Sequence, residues 1–425
     1  LGFGDAPQQV EELLFGGSAG PGKAALVGTP IPTPDGWTTM GDVQVGDLVF
    51  GDDGVPTWVV GVSEVDTTSP SYEVEFDSGE VIVCDARHLW KTLNDKERGL
   101  AIVRSDEWRA RRRSKRPSRA LSPEENRHPW VSAGVTQRNH SMVHTYLPTP
   151  TGTVRTTQEI METVLDRRGR VNHSVAVAKP VLLPTADLPI DPYTFGLWLG
   201  DGDSNGGAFG MLEEDIKEIR HLVSGDIQSE TLLQSKPEAR PLLRLRMAGM
   251  TAQLQNLGVR GDKRIPAQYL RASFSQRLEL LSGIMDADGY VGDGDPCGIG
   301  LSKRDLLEDV HELVLSLGIK ASSIKTKQAT ISGRDVGETY RFGFSAPFPV
   351  FHLARKYQRQ NTNLRPSATR RFIVSVREVP HQDMRCIKVL NPSGMYLAGR
   401  SMIPTHNSFF IRALAAAVAY KYPGS

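Results

Sequence analysis

The sequence predicts a multidomain protein in which an all-β domain is split by an inserted α+β domain. Short strands are predicted over residues 37–90, where apolar and charged residues alternate at 72–77. Strands are predicted again over 372–397. The segment between them contains runs typical of helices, for example 274–285 and 304–317. Two β-rich segments separated by a stretch of different character indicate one domain interrupted by another.

Composition sets broad limits on the protein. A chain of 425 residues with 39% hydrophobic residues can bury a core, and its length suggests two or three domains. The 50 Lys and Arg residues nearly balance the 49 Asp and Glu residues, which leaves a formal charge of +1. Binding of nucleic acid therefore has to come from local clusters of positive charge.

The cysteines and the hydropathy pattern predict a cytoplasmic protein. Cys84, Cys297 and Cys386 are too few and too scattered for a disulfide framework or a zinc site, so a thiol is available as a nucleophile. No apolar run reaches the roughly 20 residues of a membrane span, and the N-terminus lacks signal-peptide features. We therefore expect a reducing cytoplasm and no membrane partner.

The run His406-Asn407-Ser408 carries chemistry for cutting a backbone. The Asn407 amide can attack its own main-chain carbonyl, His406 can move the protons, and the Ser408 hydroxyl can hold an acyl group. As an isolated tripeptide the run has little specificity.

The two ends of the chain complete one motif. Residues 17–23 read GSAGPGK, a phosphate-binding (Walker A) loop, but Ala24 stands where the final Ser or Thr belongs. Ser408 supplies that hydroxyl residue and is followed by an Ala-rich run typical of a helix. Joining Lys23 to Ser408 restores the loop, which predicts that residues 24–407 are removed.

This arrangement resembles an intein. The resemblance implies a HINT-type horseshoe splicing domain that is split by a LAGLIDADG endonuclease domain with two αββαββ-like repeats. The implied divisions are a host (extein) segment at 1–23, the first part of the splicing domain at 24–150 with a basic insertion near 100–125, the endonuclease domain at 151–370, the second part of the splicing domain at 371–407 and a second host segment at 408–425. The host segments resemble the P-loop ATPase of a phage large terminase subunit, which implies a phage-infected bacterium.

His88 matches the intein motif that works on the N-terminal junction. The resemblance implies that His88 protonates the departing amide nitrogen of Ala24, a role suited to a pKa near neutrality. Most family members carry Thr three residues before this His, but here the position is Asp85. How the carbonyl between Lys23 and Ala24 is held therefore stays open.

The methyl group of Ala24 cannot act as a nucleophile, so another residue has to begin the reaction. Trp90, Cys386 and Thr405 together resemble the Trp, Cys, Thr signature of class three inteins, in which an internal cysteine opens the junction. The implied steps are attack of Cys386 on the Lys23 carbonyl, transfer of the acyl group to Ser408, cyclisation of Asn407 assisted by His406, and rearrangement to a peptide. Splicing requires no cofactor. Alternatively, Ala24 replaces a native nucleophile, by engineering or naturally, and the chain is a trapped precursor.

Two helix-like motifs in the insertion resemble LAGLIDADG sequences, at 194–202 and 281–289. Small residues four apart would fall on one face of each helix, so two such helices can pack closely. This packing would bring Asp201 and Asp288 together, where two carboxylates can hold Mg²⁺ against a phosphodiester. Lys263 sits where intein-borne nucleases often carry a catalytic lysine. The expected activity is cleavage of double-stranded DNA, with a decayed nuclease as the alternative.

A basic cluster predicts a further DNA contact. Eight positive residues lie close together: Arg104, Arg109, Arg111, Arg112, Arg113, Lys115, Arg116 and Arg119. They are interpreted as a phosphate-contacting arm, with a mobile solvated loop as the alternative. The expected partners are double-stranded DNA of the intein-free host gene and the host segments in cis, with the protein a monomer. A homing nuclease that no longer splices and a P-loop ATPase with a long insertion are the competing readings.

Overall fold

The computed structural model describes residues 23–104, 152–234, 236–293, 296–331 and 334–406, without the side chains of 100–104 and 329–336. The described residues divide into two compact units. The β unit contains 23–104, 152–182 and 369–406, and the inserted unit contains 183–368. None of the helices in these ranges combines the length and the hydropathy of a bilayer-spanning segment.

The first stretch of the β unit is made of short strands. They are β1 (Ala25–Leu26), β2 (Pro30–Thr33), β3 (Gly36–Thr39), β4 (Leu48–Phe50), β5 (Pro56–Val62), β6 (Ser71–Phe76), β7 (Val81–Asp85) and β8 (Leu89–Leu93). Helix α1 (Asp95–Arg104) follows, and after the gap come β9 (Thr153–Thr156), α2 (Thr157–Glu162) and β10 (Ser174–Ala176). In β6 the predicted alternation is confirmed, because Val74 and Phe76 are buried and Glu75 is exposed.

The inserted unit mixes helices and strands. Its first half is α3 (Pro192–Asp201), β11 (Ala208–Leu212), α4 (Glu213–Ile219), β12 (Ile227–Leu233), β13 (Leu242–Met247), α5 (Met250–Asn256) and α6 (Ala267–Leu270). Its second half is α7 (Phe274–Ala287), β14 (Gly289–Val291), β15 (Cys297–Leu301), α8 (Arg304–Ser316), β16 (Lys325–Ile331), β17 (Arg334–Phe344) and α9 (Ala354–Tyr357).

The chain then returns to the β unit with β18 (Arg370–Val379), β19 (Met384–Arg385), β20 (Ile387–Val389), β21 (Met395–Ala398) and β22 (Ile403–His406). The largest sheet runs in the order β19-β1-β7-β6-β18-β10-β8-β22-β21, with β9 on β8. Strands from both ends of the chain therefore alternate within one sheet. The predicted fold class, an all-β domain split by an α+β domain, is confirmed.

The division between the units differs from the predicted boundary at residue 151. Residues 152–182 pack with the β unit, because β9 pairs with β8 and β10 pairs with both β8 and β18. Ile160 of α2 is fully buried in the core of that unit. Local periodicity carries no information on such long-range strand pairing, so the sequence placed the start of the insertion too early.

The two halves of the inserted unit are unequal copies. The second half follows the predicted αββαββ order, with β14, β15, β17 and β16 in one sheet. The first half has a sheet of β11, β13 and β12 in its described residues, and its extra strand is reduced to a single bridge between Gly202 and Phe209. The corresponding ladder in the second half pairs Gly289 with Ile299.

Helices α3 and α7 pack backbone to backbone through their small residues, as predicted. A Cβ atom at Gly283 would lie 2.2 Å from the carbonyl oxygen of Tyr193, and one at Gly196 would lie 2.9 Å from the Cα atom of Gly283. Only glycine fits both positions. The C-terminal ends of the two helices are thereby held close together.

We expect Gly283→Ala to destabilise the inserted unit by about 1–3 kcal/mol, because the added methyl group forces the two helices apart. Chemical denaturation followed by circular dichroism measures the change. Gly300→Ala is the matched control, since a Cβ atom there would lie 3.6 Å from the Cβ atom of Arg341, an ordinary contact. Equal stability of the two variants would contradict the close packing.

Candidate functional site

The Lys23–Ala24 peptide bond lies at the start of β1, inside the β unit. Ala24 is buried, and the next residue, Ala25, is paired on both sides, with Cys84 of β7 and Arg385 of β19. The junction is thus held in extended conformation between a strand from the first part of the chain and one from the last part. This pairing brings residues distant in sequence to one peptide bond.

Both polar groups of that peptide bond have side-chain partners. The Nδ1 atom of His88 lies 3.0 Å from the carbonyl oxygen of Lys23. The amide nitrogen of Ala24 donates to Oδ2 of Asp85. The predicted protonation of the Ala24 nitrogen by His88 stays a prediction: His88 contacts the Lys23 carbonyl oxygen, its pKa also reflects a backbone hydrogen bond with Ala24, and Asp85 accepts from the Ala24 nitrogen. His88 is also the side chain that contacts the carbonyl group of Lys23, which the sequence analysis left open.

The contacts of His88 define its tautomer. A carbonyl oxygen can only accept, so Nδ1 carries the proton, and Nε2 accepts from the hydroxyl group of Thr405. The imidazole is fully buried, and desolvation lowers its pKa to about 4, with a smaller contribution from the charge of His406. A neutral ring that donates to the carbonyl is the form suited to stabilising negative charge on that oxygen.

Trp90 and Thr157 position His88. The Trp90 ring is fully buried with its centroid 4.9 Å from that of His88, and its Nε1 atom donates to Oγ1 of Thr157 at 3.0 Å. The amide nitrogen of Thr157 donates to the carbonyl oxygen of His88 at 2.9 Å. The signature residue Trp90 therefore packs against His88, which contacts the junction.

Sequence reasoning missed Thr157, although a local signal marks its surroundings. Thr156 and Glu159 form a capping box that begins α2 at Thr157 and directs this residue into the core. The missed role followed from the early boundary, which assigned these residues to the insertion.

Cys386 lies at the break between β19, which pairs with β1, and β20, which pairs with β5. The β1–β19 register pairs Ala25 with Arg385 and Leu26 with Met384, and Cys386 is the next residue after this ladder. The amide nitrogen of Cys386 donates to Oγ of Ser63, which follows β5. The thiol of Cys386 is half-buried. Burial raises the pKa of the Tyr396 phenol, and the charges of Cys386 and Cys84 add to this shift, which indicates that Cys386 lies near Tyr396.

The C-terminal junction is described up to His406. Thr405 is buried, and His406 pairs with Leu89, next to His88. Asn407, Ser408 and the predicted phosphate loop before Lys23 lie outside the described residues, as do the basic residues at 109–119. Arg104 is the last residue of α1, and its side chain is not described.

The inserted unit brings the two predicted acids together. Asp201 ends α3 and Asp288 follows α7, and burial, followed by the charge of Asp288, raises the pKa of Asp201 to about 6. Burial raises the pKa of Asp288 as well. Asp201 keeps an exposed surface and Asp288 is half-buried, so two carboxylates that repel each other are accessible to a cation between them. Within the described ranges no group of three or more His, Cys, Asp or Glu residues could hold a metal, so further ligands would have to come from phosphate and water.

Two buried lysines occupy equivalent positions at these helix ends. Lys263 Nζ donates to the carbonyl oxygens of Leu199 and Gly200, at 3.1 and 3.0 Å. Lys356 Nζ donates to the carbonyl oxygens at 285–287 in the same way. Burial lowers the pKa of each to about 8. The sequence predicted Lys263 and missed Lys356, which no recognised motif marks.

We expect His88→Gln to flatten the pH dependence of folding. The unfolded chain binds more protons than the folded one between the ordinary imidazole pKa of 6.5 and the folded value of about 4, so stability falls as the pH drops through this window. The free energy of unfolding, measured from about pH 7 to pH 4, tests this. His173, whose pKa is also lowered to about 4, is present in both proteins and cancels. His221→Gln, which changes an exposed ring, is the control. Equal slopes for His88→Gln and the unsubstituted chain would contradict a buried neutral His88.

Comparison with known proteins agrees with part of the sequence interpretation. Residues 275–342 match the model of the LAGLIDADG-like domain. Over 406 residues the chain is 37% identical to a replicative DNA helicase DnaB of Mycobacterium intracellulare, covering 93% of this chain and 60% of that protein. A helicase DnaB of Mycobacterium leprae (strain TN) is 50% identical over 80 residues, which cover 19% of this chain and 13% of that protein. The chain thus spans less than two thirds of these relatives.

Among solved structures, that of the MchDnaB-1 intein aligns with 90% of this chain and 100% of its own, at 17% identity and a TM-score of 0.27. A structure of I-DmoI in complex with DNA and Mn aligns with 36% of this chain and 88% of its own, at 16% identity and a TM-score of 0.24.

The predicted phage terminase host is corrected by these relatives, which are replicative helicases. The host segments were too short to separate one P-loop ATPase from another, because a phosphate loop recurs in many of them. The remaining interpretation stands at the level of the fold: an all-β domain is interrupted by an α+β domain in which residues 275–342 match the LAGLIDADG-like model.

Proposed function

We propose that the chain is a self-splicing intein precursor in which Cys386 initiates removal of residues 24–407. The observation that carries the proposal is the pairing of Ala25 with Arg385, the residues next to Ala24 and Cys386, together with the contact of His88 with the carbonyl oxygen of Lys23. This pairing supports a role for the Cys386 thiol as the nucleophile, with His88 as the hydrogen-bond donor to the carbonyl oxygen.

In the first step the Cys386 thiolate attacks the Lys23 carbonyl carbon. The developing negative charge falls on the oxygen to which His88 Nδ1 donates. Because the ring is held from the other side by Thr405 and packed against Trp90, it donates without reorganising. Desolvation strengthens this hydrogen bond, since His88 is fully buried.

The later steps belong to residues at the C-terminal junction. Ser408 takes the acyl group from Cys386, Asn407 cyclises with help from His406, and the ester rearranges to a peptide. Each step exchanges one acyl bond for another, so no cofactor is needed. The pairing of His406 with Leu89 supports the idea that both junctions use one region of the β unit.

The host protein is proposed to be a replicative DNA helicase of the DnaB type, as the names of the relatives suggest. Splicing would then restore an uninterrupted host chain from the segments before Ala24 and after Asn407. The bacterial cytoplasm is the corresponding location.

The inserted unit is proposed to cleave double-stranded DNA with Mg²⁺. Asp201 and Asp288 would hold the cation, which supplies Lewis-acid stabilisation of the phosphodiester. Lys263 and Lys356 lie near these carboxylates, since their positive charges lower the pKa of both acids. The unequal halves of the unit fit a duplex site that lacks two-fold symmetry. The basic cluster at 104–119 is proposed as an additional phosphate contact.

We expect Cys386→Ala to abolish splicing, because Ala24 offers no alternative nucleophile. Mass spectrometry of freshly expressed chain with its full host flanks detects the excised intein and the joined host peptide. Cys297→Ala, which removes the buried thiol of the inserted unit, is the control and should splice. Splicing by the Cys386→Ala variant would refute the assignment. An unsubstituted chain that leaves both junctions intact would favour the trapped precursor.

We expect Asp288→Asn to reduce DNA cleavage by at least about 100-fold, because one of the two cation-holding carboxylates is lost. The substrate is a duplex that encodes residues 1–23 joined directly to 408–425, incubated with the excised intein and Mg²⁺. Asp187→Asn, which neutralises an exposed carboxylate of the same unit, is the control. An uncut duplex with the unsubstituted protein would show that the nuclease has decayed.

A further inference from the structure

Two dibasic segments of the inserted unit, Lys263-Arg264 and Arg355-Lys356, use their two side chains in different ways. The lysine of each segment donates to carbonyl oxygens at the end of a helix of its own half, α3 or α7. The arginine of each segment pairs with a carboxylate on a helix of the other half, α8 or α4. The two segments therefore connect the halves in opposite directions.

Both ion pairs are bidentate and use the same arginine atoms. In the first ion pair, Nε and Nη2 of Arg264 donate to the two carboxyl oxygens of Asp309 at 2.7 and 2.8 Å. In the second ion pair, Nε and Nη2 of Arg355 donate to those of Asp215 at 2.8 and 2.6 Å. The side chains of the two carboxylates are only 11% and 4% exposed. A bidentate contact with a shielded carboxylate fixes the arginine more firmly than an exposed ion pair would.

The main chain beside each arginine is held by the same partner helix. The amide nitrogen of Ile265 donates to Oδ2 of Asp309 at 2.9 Å. The amide nitrogen of Ala354 donates to Oε1 of Glu218 in α4 at 2.7 Å. Both contacts lie within two residues of a lysine, so the other half of the unit fixes the backbone from which each lysine side chain extends.

We propose that each ion pair positions the neighbouring lysine for cleavage of one of the two DNA strands. The first ion pair holds Lys263, and the second holds Lys356. This inference rests on the proposed DNA cleavage and assigns a positioning role to residues other than the acids and the lysines. A buried ammonium group loses hydration, so it keeps such a place only when the surrounding structure holds it there.

The two lysines belong to separate sets of catalytic groups. Burial and the charge of Asp288 raise the pKa of Asp201, and Lys356 opposes this shift more than Lys263 does. Burial also raises the pKa of Asp288, and here Lys263 opposes the shift more than Lys356 does. Each lysine thus acts most on the acid at the end of the other half's helix. A duplex presents one phosphodiester of each strand, so loss of one ion pair should affect mainly one strand.

The first experiment compares Arg264→Gln and Arg355→Gln with the unsubstituted protein. Glutamine keeps a polar side chain but removes the charge and the bidentate contact. The substrate is the duplex that encodes residues 1–23 joined directly to 408–425, labelled on one strand or on the other and incubated with Mg²⁺. We expect each variant to slow cleavage of one strand by about 10- to 100-fold, and the two variants to slow opposite strands, so that nicked duplex accumulates.

A second measurement follows the lysines without cleavage. An amine-reactive acylating reagent is applied at one fixed pH, and mass spectrometry of peptides reports the labelling of each lysine. Lys263 and Lys356 are 9% and 8% exposed with the ion pairs intact. We expect Arg264→Gln to raise the labelling of Lys263 several-fold and to leave Lys356 unchanged, and Arg355→Gln to do the reverse.

Two further variants serve as rescue and control. Arg264→Lys keeps the positive charge without the bidentate geometry and should recover part of the rate lost in Arg264→Gln. Arg304→Gln removes an exposed ion pair with Glu308 on the same helix, α8, and should match the unsubstituted protein in both measurements. Far-ultraviolet circular dichroism checks that each variant is folded.

Cleavage of both strands at the unsubstituted rate by both Arg→Gln variants would overturn the proposal. Equal slowing of both strands with unchanged lysine labelling would also overturn it, because this result indicates a general structural role. An uncut duplex with the unsubstituted protein would instead refute the proposed DNA cleavage and, with it, the strand-specific role, even if the labelling showed that each ion pair holds its lysine.

Discussion

The pairing of β1 with two strands at once is the constraint on which the candidate splicing site depends. Ala25 is matched to Cys84 on one side and to Arg385 on the other, so the preceding peptide bond cannot move independently of either strand. Strand β7 carries Asp85 to the amide nitrogen, and β19 ends immediately before Cys386. A register shift of one residue would turn these side chains to the opposite face of the sheet.

Desolvation sets the chemistry of the groups assembled by this pairing. Burial acts in opposite directions on the two groups that contact the junction, lowering the pKa of His88 and raising that of Asp85. Both shifts favour the uncharged form. A neutral imidazole can donate to a carbonyl oxygen, so desolvation keeps His88 in the form that fits its contact with Lys23.

In the inserted unit desolvation also shifts the pKa values of paired groups, here two carboxyl groups and two lysines in an approximate two-fold arrangement. The close contact of Gly196 and Gly283 brings the ends of α3 and α7 together, where Asp201 and Asp288 lie close enough for the charge of Asp288 to raise the pKa of Asp201. Lysine side chains from two different segments donate to the carbonyl oxygens at these helix ends, which carry partial negative charge. The mutual repulsion of the carboxylates and the adjacent positive charges are consistent with the cation and the phosphate that the proposed nuclease activity requires.

The sequence by itself determined the presence of an interrupted β domain and of two LAGLIDADG-like helices, and it predicted roles for His88 and Cys386, because periodicity and motif spacing are local properties. Only the tertiary structure decided which groups meet at the junction. The contact of Asp85 with the Ala24 nitrogen and the contact of Thr157 with Trp90 became visible only through pairing and packing, which join residues far apart in the chain. The sequence analysis missed Lys356 for the same reason, because its contact with the end of α7 depends on how the chain returns to that helix after β17. The sequence of a short strand does not specify which strand it pairs with. The register, and the contacts of these residues that depend on it, could therefore be known only from the folded protein.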